Sequence, residues 1–155
     1  MESQELLDAT GVMLDLHASS KKHLFEQLAE RAATLTGVHQ RVLFDMLLER
    51  ERLGSTGVGD GVAIPHARPN GIGRIHGLFA RLAKPIPFDA PDDEPVDLVF
   101  LLLAPPSEGG DHLKALARVA RTLRDRTVRA QLRAARDPQT VADLFGSVGH
   151  RAAAE

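Results

Sequence analysis

Apolar residues recur along this chain with two periods, one helical and one extended. Leu24, Phe25, Leu28, Ala29, Ala32 and Leu35 fall at the three-and-four spacing of a helix, with Ser19 or Ser20 placed to cap its start and Gly37 to close it. A second helical run extends from about His39 to Leu53 and stops at Gly54. Val12 to Leu16 is a candidate first strand, and Val62 to Ile64 a short one that Pro65 ends. Ile75 to Leu82 reads as a further strand, ended by Lys84-Pro-Ile-Pro. Val96 to Leu103 is almost continuously apolar, as a central strand covered on both faces should be. A third helix is predicted from Asp111 or His112, with Asp111 as its cap, carrying Leu113, Leu116, Ala117, Val119, Ala120 and Leu123 inward. Two short helices follow, Val128 to Ala135 and Pro138 to Phe145, the latter capped by Asp137, before a tail from His150 to Glu155 that is expected to fray. Strands alternate with helices and the long apolar strand needs cover on both sides. The pattern therefore predicts an α/β fold, a three-layer sandwich with a mixed β-sheet and helices on both faces, in a single domain with its core from about residue 12 to 145. Strand order stays open.

The second helix departs from simple amphipathicity. With Leu43 at zero on a wheel of 100° per residue, Leu47 and Phe44 fall at ~40° and ~100°, Met46 at ~−60° and Leu53 at ~−80°. Arg50 falls at ~−20° and Glu51 at ~80°, inside the apolar arc. Two charges thus point inward at the end of a helix that leads directly into a glycine-rich stretch. A solvated helix end and a partly buried ion pair with its guanidinium turned toward that stretch are both compatible with this placement.

The stretch itself, Ser55 to Arg68, concentrates the candidate chemistry. Gly57, Gly59 and Gly61 allow positive φ and close approach of another surface, and His66 follows the short strand between Pro65 and a small residue. Ser55 and Thr56 add hydroxyls and Arg68 a fixed positive charge. The glycines make neither the dinucleotide fingerprint, since a strand follows where a helix should begin, nor a P-loop, since no Gly-Lys-Ser/Thr follows. A neutral imidazole amid anion-binding groups is the equipment of a phosphoryl acceptor. His112, in the first turn of the third helix and at the rim of its apolar stripe, sits where free N–H groups and the helix dipole favour a phosphate.

Composition narrows the classes. The 155 residues carry 19 basic and 21 acidic side chains, a formal charge of −2, so no global field points to nucleic acid, and the absence of Trp and Tyr argues against base stacking. Without cysteine there is no disulfide framework, thiolate zinc site or thiol nucleophile. The N-terminus has no signal-peptide pattern and no apolar run approaches ~20 residues, so a cytoplasmic protein without direct membrane insertion is expected.

Two segments resemble a known family. Glu49-Arg50-Glu51-Arg52 followed by Leu-Gly-Ser-Thr-Gly-Val-Gly-Asp-Gly-Val-Ala-Ile-Pro-His66-Ala-Arg resembles the signature of the fructose/mannitol-type enzyme IIA domains of the bacterial phosphotransferase system. Leu-Leu-Leu-Ala-Pro and then Asp-His112-Leu-Lys-Ala-Leu is similar to that family's second histidine segment. The resemblance runs from about Val12 to Phe145, and a short free-standing chain is most similar to the nitrogen-regulatory, PtsN-type branch. It implies that His66 is phosphorylated by a histidine-phosphorylated HPr-like carrier, that Arg50 and His112 flank the phosphoryl group, and that Glu51, Ser55, Thr56 and Arg68 support the pocket. It implies no cofactor and no metal. The partners it implies are the carrier and target proteins such as kinases and transporters; the alternative is a sugar-specific component that passes phosphate to a IIB cysteine. Two other classes remain: a metal-dependent hydrolase using His66, His76 and His112, which lacks any tight ligand spacing, and an interaction module in which His66 is structural.

Overall fold

The computed structural model describes residues 6–106 and 109–154, the stretch 147–154 by backbone alone. A 3-10 turn, Ala9–Gly11, leads into β1 (Val12–Leu16), followed by α1 (Lys21–Thr36) and α2 (Gln40–Leu53). Then come β2 (Gly57–Gly59), β3 (Val62–Ala63), β4 (His66–Ala67), β5 (His76–Ile86) and β6 (Val96–Leu103), and three helices complete the chain: α3 (Gly109–Arg124), α4 (Arg126–Ala134) and α5 (Pro138–Ala154). The helix ends follow local chemistry. Ser20 accepts from the His23 N–H at the start of α1, and Gly37 closes that helix in the left-handed region at φ 81°. Asp125 caps α4 and Asp137 accepts from Thr140 at the start of α5.

The strands form one mixed sheet in the order β1-β5-β6-β3-β2, with β4 also on β6. β1 runs parallel to β5, β5 antiparallel to β6, and β3 and β4 parallel to β6. Along β6 the side chains alternate between two cores. Val99, Leu101 and Leu103 join Leu24, Phe25, Leu28, Leu43 and Leu47 of α1 and α2, while Leu98, Phe100 and Leu102 join Val119, Leu123, Leu132, Val141 and Phe145 of α3, α4 and α5. That is why β6 is apolar throughout, and it makes the fold the expected sandwich, helices on both faces of a mixed sheet.

Several elements differ from expectation. β5 continues through Pro85 to Ile86, because Pro85 lies past Leu82, the last residue paired with β1, and within the irregular stretch between the Arg81–Leu98 and Ile86–Val96 pairs, where no N–H is required of it. α3 begins at Gly109, so Asp111 is an acidic residue of its first turn and not its cap. Its inward stripe is His112, Ala115, Val119, Thr122 and Leu123; Leu113 is 66% exposed and Ala117 also faces solvent. The phase was displaced because an imidazole fills a core-facing position that an apolar count skips. Leu53, placed inward by the wheel, is 79% exposed, being the last residue of α2, beyond the fully buried Leu43 and Leu47. The tail expected to fray from His150 continues α5 through Ala154; Glu155 lies outside the described residues, as do Ser107 and Glu108.

Candidate functional site

His66 owes its position to a strand that Pro65 interrupts without ending. Proline offers no N–H, but its carbonyl still accepts from Leu102 at 3.0 Å, and the Ala67 carbonyl accepts from Ala104 at 3.1 Å, so the chain rejoins β6 as β4. The ring is then fixed from behind. His66 Nδ1 lies 3.1 Å from the Ile64 carbonyl. A carbonyl only accepts, so Nδ1 carries the hydrogen and the lone pair of the neutral ring sits on Nε2. Val62 and Ile64 belong to the core on the α3 side, and alternation brings His66 to the same side.

There His66 meets His112, with ring centroids 5.6 Å apart and planes inclined at 53°. His112 is not at a rim as its helical phase suggested: it is 6% exposed, and its Nδ1 finds no hydrogen-bond partner among the described residues. Burial holds its pKa below the usual histidine range, with the nearby His66 and Arg68 acting in the same direction. His112 is thus held neutral in the first turn of α3. Arg68, exposed, donates to the Pro106 carbonyl, which ties the segment after β4 to the loop before α3.

The acidic and hydroxyl residues form a separate network. Of the two readings open for Arg50 and Glu51, the mutual ion pair is not formed: Glu51 accepts from Lys21 Nζ at 2.9 Å, from the Thr56 N–H at 3.0 Å and from Thr56 Oγ1 at 2.7 Å. Arg50 instead donates to the Gly54 carbonyl at 2.9 Å, closing the end of α2; that described contact is with neither imidazole. A helical wheel fixes the direction of a side chain but not the partner that another element supplies. Lys21 is the residue sequence reasoning missed. It is the first residue of α1, it lies 4.5 Å from the centre of the Phe88 ring, and nothing in the local pattern marks it. Ser55 donates to the Phe88 carbonyl at 2.7 Å and accepts from the Gly57 N–H. Glu51, Ser55 and Thr56 therefore hold the segment after α2 against α1 and the β5–β6 connection, and the Thr56 carbonyl in turn accepts from Ile64, the residue whose own carbonyl holds His66.

The glycines are part of a hairpin rather than an open loop. Asp60 and Gly61, at φ 58° and 78°, make a two-residue turn between β2 and β3. The Gly61 carbonyl accepts from Asp97 and Leu98 at the start of β6, whereas His66 pairs with Leu102, so the turn and the imidazole are separated by roughly 13 Å of strand at ~3.3 Å per residue. Gly57 has ordinary φ and is required for packing instead: a Cβ there would lie 2.9 Å from that of Ala90.

The paired imidazoles, the N–H groups of the first turn of α3 and the Arg68 guanidinium suit an anion attached to or approaching His66 Nε2. His76, which a metal site would need, is held below the usual range chiefly by burial, then by Arg74, with Asp8 opposing. Among the described residues no group of three or more His, Asp or Glu is placed to hold a metal ion, and no helix is long and apolar enough to cross a membrane.

The chain is similar to several known proteins. A nitrogen regulatory protein of Bradyrhizobium diazoefficiens is 51% identical over 141 residues, covering 91% of this chain and 92% of that protein. A fructose-specific EIIA component of the phosphotransferase system from Haloferax volcanii is 38% identical over 138 residues, covering 88% and 90%. The crystal structure of the nitrogen regulatory protein IIA-Ntr from Neisseria meningitidis superposes with a TM-score of 0.88 at 37% identity, over 92% of this chain and 97% of that one. The model of the phosphoenolpyruvate-dependent sugar phosphotransferase system EIIA 2 family matches residues 5–147, nearly the whole of the described fold, and the chain belongs to that family.

Proposed function

We propose that this protein is a phosphocarrier and regulator of the nitrogen-type phosphotransferase relay, accepting a phosphoryl group on His66 Nε2 from a histidine-phosphorylated, HPr-like carrier. The observation that carries the reading is the bond between His66 Nδ1 and the Ile64 carbonyl, beside a neutral His112. It leaves one nitrogen with a lone pair and spares the protein the choice between tautomers at the moment of transfer. The donor's N–P bond breaks as the bond to Nε2 forms, in line, and the donor imidazole leaves with its electron pair. Catalysis is positioning and compensation of charge by α3 N–H groups, His112, Arg68 and Arg50, with no group on this chain required to exchange covalently other than His66. Glu51, Ser55 and Thr56 act at one remove, by holding the backbone that holds Ile64. The added charge of about −2 then distinguishes two forms of the protein for its cytoplasmic targets, such as kinases or transporters.

Intact mass after incubation with phosphoenolpyruvate, enzyme I and the carrier tests this. One acid-labile phosphoryl group on the wild type and none on His66→Ala is the expected result; an adduct on both, or on neither with active donors, removes the assignment. The resemblance to the fructose-specific component favours a second reading, transfer onward to a IIB cysteine. Loss of the group from His66 on adding a purified IIB domain, with a phosphocysteine appearing on it, would select that alternative.

A further inference from the structure

We propose that the exposed face of α3 is a docking surface for an acidic, helix-forming segment of a partner protein. Residues 109–136 hold eight of the nineteen basic residues of the chain and only two of its twenty-one acidic ones, a net charge of +6 in a molecule whose total is −2. Two of the eight have structural employment. Arg129 donates to the Leu123 and Arg124 carbonyls at the end of α3, and Arg133 binds Asp97 and the Asp60 carbonyl. The side chains of the other six, Lys114, Arg118, Arg121, Arg124, Arg126 and Arg136, make no hydrogen bond or ion pair among the described residues.

Their placement is regular. Lys114, Arg118 and Arg121 fall within an arc of ~60° on α3 and extend ~10 Å along it. Like charges at such spacings repel and weaken a helix, which the favourable placement of Arg121 in the last turn offsets only in part. Beside it run Leu113, 66% exposed, and Ala117, also in solvent, a band of apolar surface along a basic one. Glutamates at i, i+4 and i+7 of a partner helix have the same repeat as the stripe, and leucines next to them would cover Leu113 and Ala117. Nucleic acid and anionic membranes match less well. The stripe is a single side chain wide, its helix has no aromatic residue, and the rest of the chain, 11 basic against 19 acidic residues, is repelled by an extended polyanion.

This surface goes beyond the phosphocarrier reading and does not depend on it. The test uses the whole protein, unphosphorylated, with a synthetic amphipathic helical peptide bearing glutamates at i, i+4 and i+7 and leucines alongside. Amide shifts confined to the exposed side of α3, a dissociation constant that rises with salt, and affinity weakened about tenfold or more in Arg118→Glu/Arg121→Glu are expected. The same variant should bind the lysine version of the peptide, keep its circular dichroism, and still accept phosphate in the mass assay; His66→Ala should bind the glutamate peptide as wild type does. Equal affinity for a glutamine version, shifts centred elsewhere, or tighter binding to duplex DNA or to phosphatidylserine vesicles would overturn the proposal.

Discussion

At the scale of residues, the two imidazoles differ in how their polar atoms are satisfied. His66 is half-buried and has its Nδ1 occupied; His112 is buried with no partner for its Nδ1 among the described residues, a costly arrangement that a core would ordinarily replace with leucine. Retaining it makes sense if the group that completes it arrives with the phosphate. His112→Gln, similar in length and uncharged, should slow phosphorylation by roughly 100- to 1,000-fold without unfolding the protein, as removal of one group compensating transition-state charge does. The buried imidazole also sets a pH dependence. Burial holds the folded-state pKa of His112 below the ~6.5 of an unfolded chain, so below that value the unfolded state binds more protons. Stability is therefore full above about pH 6.5 and is lost as pH falls through the folded value, with His76 acting in the same direction. Thermal midpoints measured from pH 7 to 5 should fall, and fall less steeply in His112→Gln. An equal slope would place the acid sensitivity elsewhere. Pro65-His66-Ala67 announced its histidine in the sequence, since that order has little use in a core. The burial of His112 was not legible, because an apolar count treats histidine as polar, and Lys21 was not legible at all, because its partner Glu51 lies thirty residues away.

At the scale of elements, the site depends on joints rather than on long strands. Arg81 of β5, with a side chain 12% exposed, donates to the carbonyls of Leu132 and Ala135 at the end of α4 and pairs with Asp15 of the edge strand β1. Arg81→Met should cost about 2 kcal/mol, measured by denaturant unfolding, while leaving the rate of phosphorylation nearly unchanged. The β2–β3 hairpin gives a sharper contrast. A Cβ on Gly61 would lie 2.5 Å from Arg133 Nη2 and 2.9 Å from Asp97 Oδ1, at a φ that disfavours any side chain. Gly61→Ala is expected to lower stability by about 1–3 kcal/mol with phosphoryl uptake intact, because the turn lies at the far end of β6 from His66. Loss of uptake with stability preserved would return the glycines to the phosphate pocket. Thr56→Val, by contrast, leaves Glu51 short of a donor, and both stability and the rate should fall, the latter because the Thr56 carbonyl anchors Ile64. Most element boundaries were readable from caps and periodicity. The hairpin was signalled by Asp60-Gly61, a common two-residue turn, but the adjacent glycines invited a different reading.

At the scale of the whole molecule, the layer architecture followed from a single strand, Val96 to Leu103, too apolar to have a wet face. The strand order did not follow, since β1 pairs in parallel with β5 and β3 with β6 across long connections that no local signal marks. The charge is uneven along the sequence, and the fold decides which surface carries it. A total of −2 describes a nearly neutral protein, yet residues 109–136 carry +6 and the rest of the chain −8, and α3 and α4 put the former on one side of the sheet. An acidic partner is drawn toward that side before any contact forms. Collisions are thereby pre-oriented. The protein should meet an acidic partner with an association rate that falls as salt is added while its dissociation rate hardly changes, so that ionic strength governs how often the complex forms more than how long it lasts.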